Sequence, residues 1–166
     1  MSITLYELTT PVFLKGLHVL SNILKKGEEY ADASNIPHET LLNKRLVEDM
    51  YPLIGQVQRA SDTAKFAAVR LGQVENVPFS DDEATFADLQ KRIEKTVSFL
   101  QSVPKEAFAN REDAEIVRNT SAGPITSSGS QYALQFAIPN FFFHVTTAYD
   151  ILRHSGVPIG KRDYLG

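Results

Sequence analysis

Apolar side chains recur at helical spacing in four separate stretches of this chain, and that repeat admits only folds in which helices bury a shared stripe. Phe13, Leu17, Leu20 and Leu24 follow i, i+4, i+7 and i+11, one face of a helix expected to begin near Pro11 and to run past Gly27 toward Ala33. Ser34, Asn35 and Pro37 then break the pattern. Leu42, Leu46, Met50, Leu53, Val57, Ala60, Ala64 and Leu71 hold a near-heptad stripe, which predicts one long second helix opened by Pro37. Pro52 lies inside that stripe, so a kink is expected where its ring crowds the carbonyl of Glu48. Phe86, Leu89, Ile93, Val97 and Leu100 mark the third helix, with Ser80 and Glu83 spaced as a capping box and Asp81 and Asp82 adding negative charge to the first turn. Between Pro104 and Ser130 the pattern dissolves, apart from β-prone pieces in EIVRNT and PITSS around Gly123-Pro124. The fourth stretch, PNFFFHVTTAYDILRH from Pro139 to His154, is apolar on nearly every side and stops before Gly156 and Pro158. These readings add up to an all-α four-helix bundle, one domain over residues 1–166, with a long crossover between helices three and four that can hold a small β-hairpin.

Charge and composition remove several classes of function. With 17 Lys and Arg against 20 Asp and Glu, the chain has no general attraction to phosphate backbones, so nucleic acid is not an expected partner. The absence of cysteine removes disulfides, thiolate nucleophiles and Cys-ligated zinc. MSITLYELTTPVF lacks a basic n-region and an unbroken apolar core, which makes the cytoplasm the expected location. The most apolar run, residues 133–149, is interrupted by Gln135, Pro139, Asn140, His144 and two threonines, so it falls short of the ~20 apolar residues of a membrane span. GVPIGK at 156–161 lacks the spacing and the Ser or Thr of a phosphate loop, and Ser127, Ser128 and Ser130 lack the context of a nucleophile.

His144 is the residue that asks for an explanation, because a protonatable ring sits in a segment built to be buried. Asn140, His144 and Thr147 form a polar line on the fourth helix, and Arg45, Asp49 and Gln56 form one on the second. If the two lines face each other, Asp49 and His144 pair a carboxylate with an imidazole that can bind a metal, exchange protons or simply hydrogen-bond. A buried histidine satisfied by a neighbour, and an Asp49 paired with Arg45 on a wet flank, are the plainer readings. Tyr149 and Arg153, four residues apart, are candidates to contact an anionic ligand beside Gln56 and Asn140. His154 is rotated away from His144, and no HxxxH or HExxH spacing occurs, so the chain carries no self-sufficient metal motif.

RLVEDMYPLIGQVQ at 45–58, DDEATFADLQKRI at 81–93, PNFFFHVTTAYDILRHSGVPIGK at 139–161 and the final DYLG together resemble a family of unknown function that is similar to a branch of the DinB/YfiT-like superfamily of four-helix bundles. The resemblance spans nearly the whole chain. It implies the bundle, a homodimer, and a superfamily of metal enzymes, some of them thiol-dependent transferases or isomerases, that take one His from helix two and an HxxxH pair from helix four. His144 matches the first of that pair, but Ala148 stands where the second should be and helix two has no His, so two of three ligands are missing. A divalent zinc, nickel or iron would then rest on His144 and Asp49 with water completing its sphere. The expectation is a small-molecule-binding protein or residual enzyme with an internal polar pocket around His144, in which His144 is base or single metal anchor and Asp49 orients it. The alternative is a non-catalytic oligomeric bundle, of an interaction or stress-related kind, whose buried polar residues fix helix register.

Overall fold

Thr4 opens the first helix. Its hydroxyl accepts from the Glu7 amide while the Glu7 carboxylate accepts from the Thr4 amide, a reciprocal cap that starts α1 at Leu5. In the computed structural model, which describes residues 3–166, α1 runs Leu5–Ala33 with Pro11 inside it and not at its start. Pro11 falls early enough that the helix loses only the bond to the Glu7 carbonyl.

The expected long second helix is two elements. The short α2, His38–Leu42, ends at Asn43, and α3, Leu53–Gly72, begins with Pro52 as its N-terminal cap. Pro52 has no amide hydrogen to donate and pushes Tyr51 out of helical space, so the chain breaks where a kink was expected. The intervening loop is closed by its own polar groups: Arg45 donates to the carbonyls of Glu48 and Met50, and the Leu53 amide to the Lys44 carbonyl at 2.9 Å. Leu46, assigned to the buried stripe by its spacing, is exposed in that loop.

The third long helix, α4, covers Phe86–Ser102 and is capped by Thr85 and Asp88, not by Ser80 and Glu83. A 3-10 turn at Lys105–Phe108 follows, and then the hairpin β1, Glu115–Thr120, with β2, Gly123–Ser128, paired antiparallel from Glu115 opposite Ser128 to Thr120 opposite Gly123. The crossover therefore does contain the hairpin. The fourth long helix starts earlier than its sequence pattern. A turn α5, Gly129–Tyr132, passes through a widened π-turn at Ala133–Ala137 into α6, Ile138–His154. Pro139 would clash with the Gln135 carbonyl in a regular helix, and the widened turn accommodates it without ending the helix. Gly156, at φ 96°, closes α6 in a conformation that side chains rarely adopt, and α7, Lys161–Leu165, lies across the end of the chain.

α3 packs between α4 and α6, and α1 lies against all three, so α1 and α3 face each other across the bundle. Leu17, Leu20, Leu24, Val57, Leu71, Leu89 and Ile151 meet on that axis with no exposed surface. Gly16 brings α1 close to α6, since an added Cβ would lie 2.3 Å from the Phe141 ring, and Phe13 packs against that ring with centroids 4.9 Å apart and planes tilted by 59°. Among the described residues no helix is long and apolar enough to cross a membrane.

Candidate functional site

Where α3 meets α6, two polar lines do face each other, though not with the partners expected from spacing alone. Gln56 is buried in the first turns of α3, and its side-chain amide nitrogen donates to the Tyr51 carbonyl at 2.9 Å. A carbonyl can only accept, so this bond turns the amide oxygen toward α6, where it lies 2.7 Å from Nδ1 of His144. The imidazole is thereby fixed with its hydrogen on Nδ1, donating to Gln56, and with the lone pair on Nε2.

His144 is 8% exposed. Burial, and after it the positive charge of Arg59, pushes its pKa down to about 4, so the ring is neutral at pH 7. Nε2 takes part in no hydrogen bond among the described residues. It is not sealed either, because among the described residues Arg59 Nε is the one fully buried side-chain polar atom without a partner. Arg59 stacks on the face of Tyr51 at 5.0 Å and lies 3.6 Å from Asp81, too far for a hydrogen bond. A turn further along, Asn140 donates to the Thr63 hydroxyl at 2.7 Å, and that hydroxyl donates to the Arg59 carbonyl. Gln56, Arg59, Asn140 and His144 thus form one cluster, with Phe143 edge-on to the imidazole.

Three expected members lie elsewhere. Asp49 is exposed in the loop before α3 and makes no hydrogen bond or ion pair with His144. It was aligned with Gln56 on the premise of one continuous helix, and the break at Pro52 removes that premise. Tyr149 packs against Tyr164 with ring centroids 5.9 Å apart, and Arg153 donates to the Ile159 carbonyl at 2.7 Å, so both serve the C-terminal turn. At 100° per residue they point roughly 140° and 180° away from His144. Arg59 was missed. Only its helical spacing of three from Gln56 would have marked it.

A second polar cluster, on the α3–α4 side, was also not anticipated. Arg92 has a side chain 1% exposed, yet every donor group has a partner: Nε to Ser61, Nη1 to the Ser80 carbonyl, Asp81 and Glu83, and Nη2 to Asp62, all between 2.8 and 3.2 Å. Burial pulls its pKa down, but the Glu83 hydrogen bond and the charges of Asp62, Glu83 and Asp81 together raise it. Lys65 beside it donates to the Val77 carbonyl at 3.0 Å, and burial lowers its pKa. Asp81 and Glu83 are occupied here, which is why α4 takes its cap from Thr85.

The family described as a domain of unknown function, DUF1993, matches residues 5–165. The chain belongs to DUF1993. A crystal structure of a DinB family member protein from Shewanella denitrificans is similar to it at 42% identity and TM-score 0.92, covering 98% of this chain and 92% of that one. Among curated proteins none matches. The DUF1993 chain is therefore DinB-like in fold, and the metal implied by that superfamily can be tested against its residues. The donor set does not fit a divalent cation. One imidazole faces the site, with Ala148 a turn on and Gln56 on the opposing helix. The adjacent guanidinium opposes a second positive charge, and no group of three His, Asp or Glu side chains suited to a metal occurs among the described residues.

Proposed function

We propose that this DUF1993 chain is a small-molecule-binding protein whose site is the α3–α6 cluster. The observation that supports it most directly is a neutral imidazole with its tautomer fixed by Gln56, an unused lone pair on Nε2, and the Arg59 guanidinium next to it. Such a pair takes a ligand that offers a hydrogen-bond donor to Nε2 and an oxyanion or carbonyl to the cation. Residual catalysis would use the same atom as a base of low proton affinity. The test is a ligand screen read on the ¹⁵N resonances of His144, with hydroxy acids and amino acids as probes. A ligand that shifts Nε2 in the native protein and not in Arg59→Gln supports the reading. No shift at His144 from any probe, with the protein folded, overturns it.

The second reading is a non-catalytic bundle in which the His144–Gln56 bond fixes the register of α6 on α3. It is favoured by the position of the surface hollows: two of about 710 and 540 Å³ lie by Phe79 and Lys95 and by Tyr6 and Glu106, and neither these nor the smaller ones by Tyr164, His18 and Asp88 are lined by His144. Under that reading His144→Gln retains every ligand and the fold. A homodimer and a cytoplasmic location belong to the same proposal, the first checked by light scattering and the second by fractionation.

A further inference from the structure

The C-terminal helix α7 is held to the bundle in an unusual way. None of its residues is buried, although Tyr164 and Leu165 line the groove between α1 and α6. What fixes it is polar: Asp163 pairs with Lys26 and accepts from the Gly160 amide at 2.8 Å, and the Tyr164 hydroxyl is hydrogen-bonded to Thr146, also at 2.8 Å. These two latches hold the helix as a roof over apolar surface that it does not fill. Beneath it is a hollow of about 240 Å³, walled by Val12 and Val19 of α1 and by Phe142 and Val145 of α6.

The one charged side chain on the wall is Lys15, and among the described residues its ammonium makes no hydrogen bond or ion pair. Asp163 on the roof is already committed to Lys26, and the Lys15 stem ends beside Gly166, its Cε 3.6 Å from where a Cβ of that glycine would stand. The hollow therefore presents apolar walls and one charged side chain, the exposed Lys15. An apolar cavity of about 150 Å³ holds a benzene, and drug-sized ligands need roughly 300 Å³ or more, so the fitting body lies between the two.

We propose that this hollow binds a small monocarboxylic acid with an apolar chain or ring of about eight carbons, its carboxylate on Lys15 and its body under α7. The site is separate from the His144 cluster and does not depend on the reading given to it. Filling the hollow gives Leu165 and Tyr164 apolar surface to cover, so ligand and roof stabilise each other.

The experiment is a methyl-detected NMR titration of the full chain with octanoate, 1-octanol and octylamine in parallel. The expected result is saturable shifts at Val12, Val19 and Val145, with octanoate binding tighter than octanol by about tenfold, the size of one charge-assisted contact, and octylamine weakest. Lys15→Ala, an exposed position that leaves the fold intact, should erase the preference of acid over alcohol while both still bind. Val12→Trp, at a half-buried position that accepts bulk, should block all three. The proposal is overturned if octanoate leaves those methyl groups unmoved, if it shifts His144 instead, or if Lys15→Ala keeps the preference.

Discussion

Helix α3 contributes to two buried polar clusters, one on each flank, and they are built on opposite rules. On the α4 side, every guanidinium nitrogen of Arg92 has a partner among Ser61, Asp62, Asp81, Glu83 and the Ser80 carbonyl, which ties the 73–85 segment to the bundle. On the α6 side, His144 uses one nitrogen and leaves the other without a partner, while Arg59 leaves Nε unbonded. A saturated network fixes one arrangement of the backbone and offers nothing to a ligand. A network with an open valence beside solvent does the reverse. Burial alone would have ranked the two alike, and only the count of donors and acceptors separates them.

The comparison breaks most visibly at Arg92. Replacing it by Met leaves Glu83 without its cation and Asp62 and Asp81 with only the longer pairs to Lys65 at 3.7 Å and Arg59 at 3.6 Å, and the expected loss is about 3 kcal/mol, because removing one partner of a buried pair strands the rest. Urea unfolding should show it as a lower midpoint with unchanged slope. Amide exchange should rise across residues 73–85, and a variant as stable as the native chain would mean that the cluster is idle.

The next effect in size is pH dependence from His144. Its folded pKa, about 4, is depressed below the unfolded value near 6.5, so the unfolded chain takes up a proton that the native chain refuses. Stability from this group is complete above the unfolded value and is lost as pH falls toward 4, by at most ~3 kcal/mol. His144→Gln should flatten that slope between pH 6.5 and 4.5 while leaving the carboxylate-driven loss at lower pH. An unchanged slope in the variant would move the titration to another residue.

Gln56→Ala tests the hinge of the open cluster. It strips the acceptor from His144 Nδ1, with an expected cost of about 2 kcal/mol for a buried donor left unsatisfied. It should also release the tautomer, visible in the imidazole ¹⁵N shifts. Asp49→Ala should do the least, within about 0.5 kcal/mol, since the side chain is solvent-exposed. A ligand whose affinity fell in that variant would bring Asp49 back to the site.

Much of the fold was readable because helical periodicity is a local property. The stripes through Phe13–Leu24 and Phe86–Leu100 survive intact in α1 and α4, and EIVRNT with PITSS forms the hairpin. Errors fell where one local signal competed with another. The Leu46–Met50 spacing argued for helix and Pro52 against it, and the proline prevailed because the lost amide and the clash act on the backbone itself. Ser80 and Glu83 had the spacing of a cap, but Glu83 gains more from a buried guanidinium than from an exposed amide.

By itself, the sequence determined that this chain would bury amphipathic helices around a common axis, that His144 would be inside and that Asn140 would share its face, since each follows from side-chain spacing along a single helix. The tertiary structure decided which groups meet: Gln56 and not Asp49 on His144, Arg59 beside it, Asp81 and Glu83 on Arg92, Tyr149 and Arg153 on the C-terminal turn. Those pairings join residues from six to 88 positions apart in the chain, across loops and between helices. They depend on where the chain breaks and how one helix is rotated against the next, quantities that packing sets for the whole molecule and that no local pattern contains.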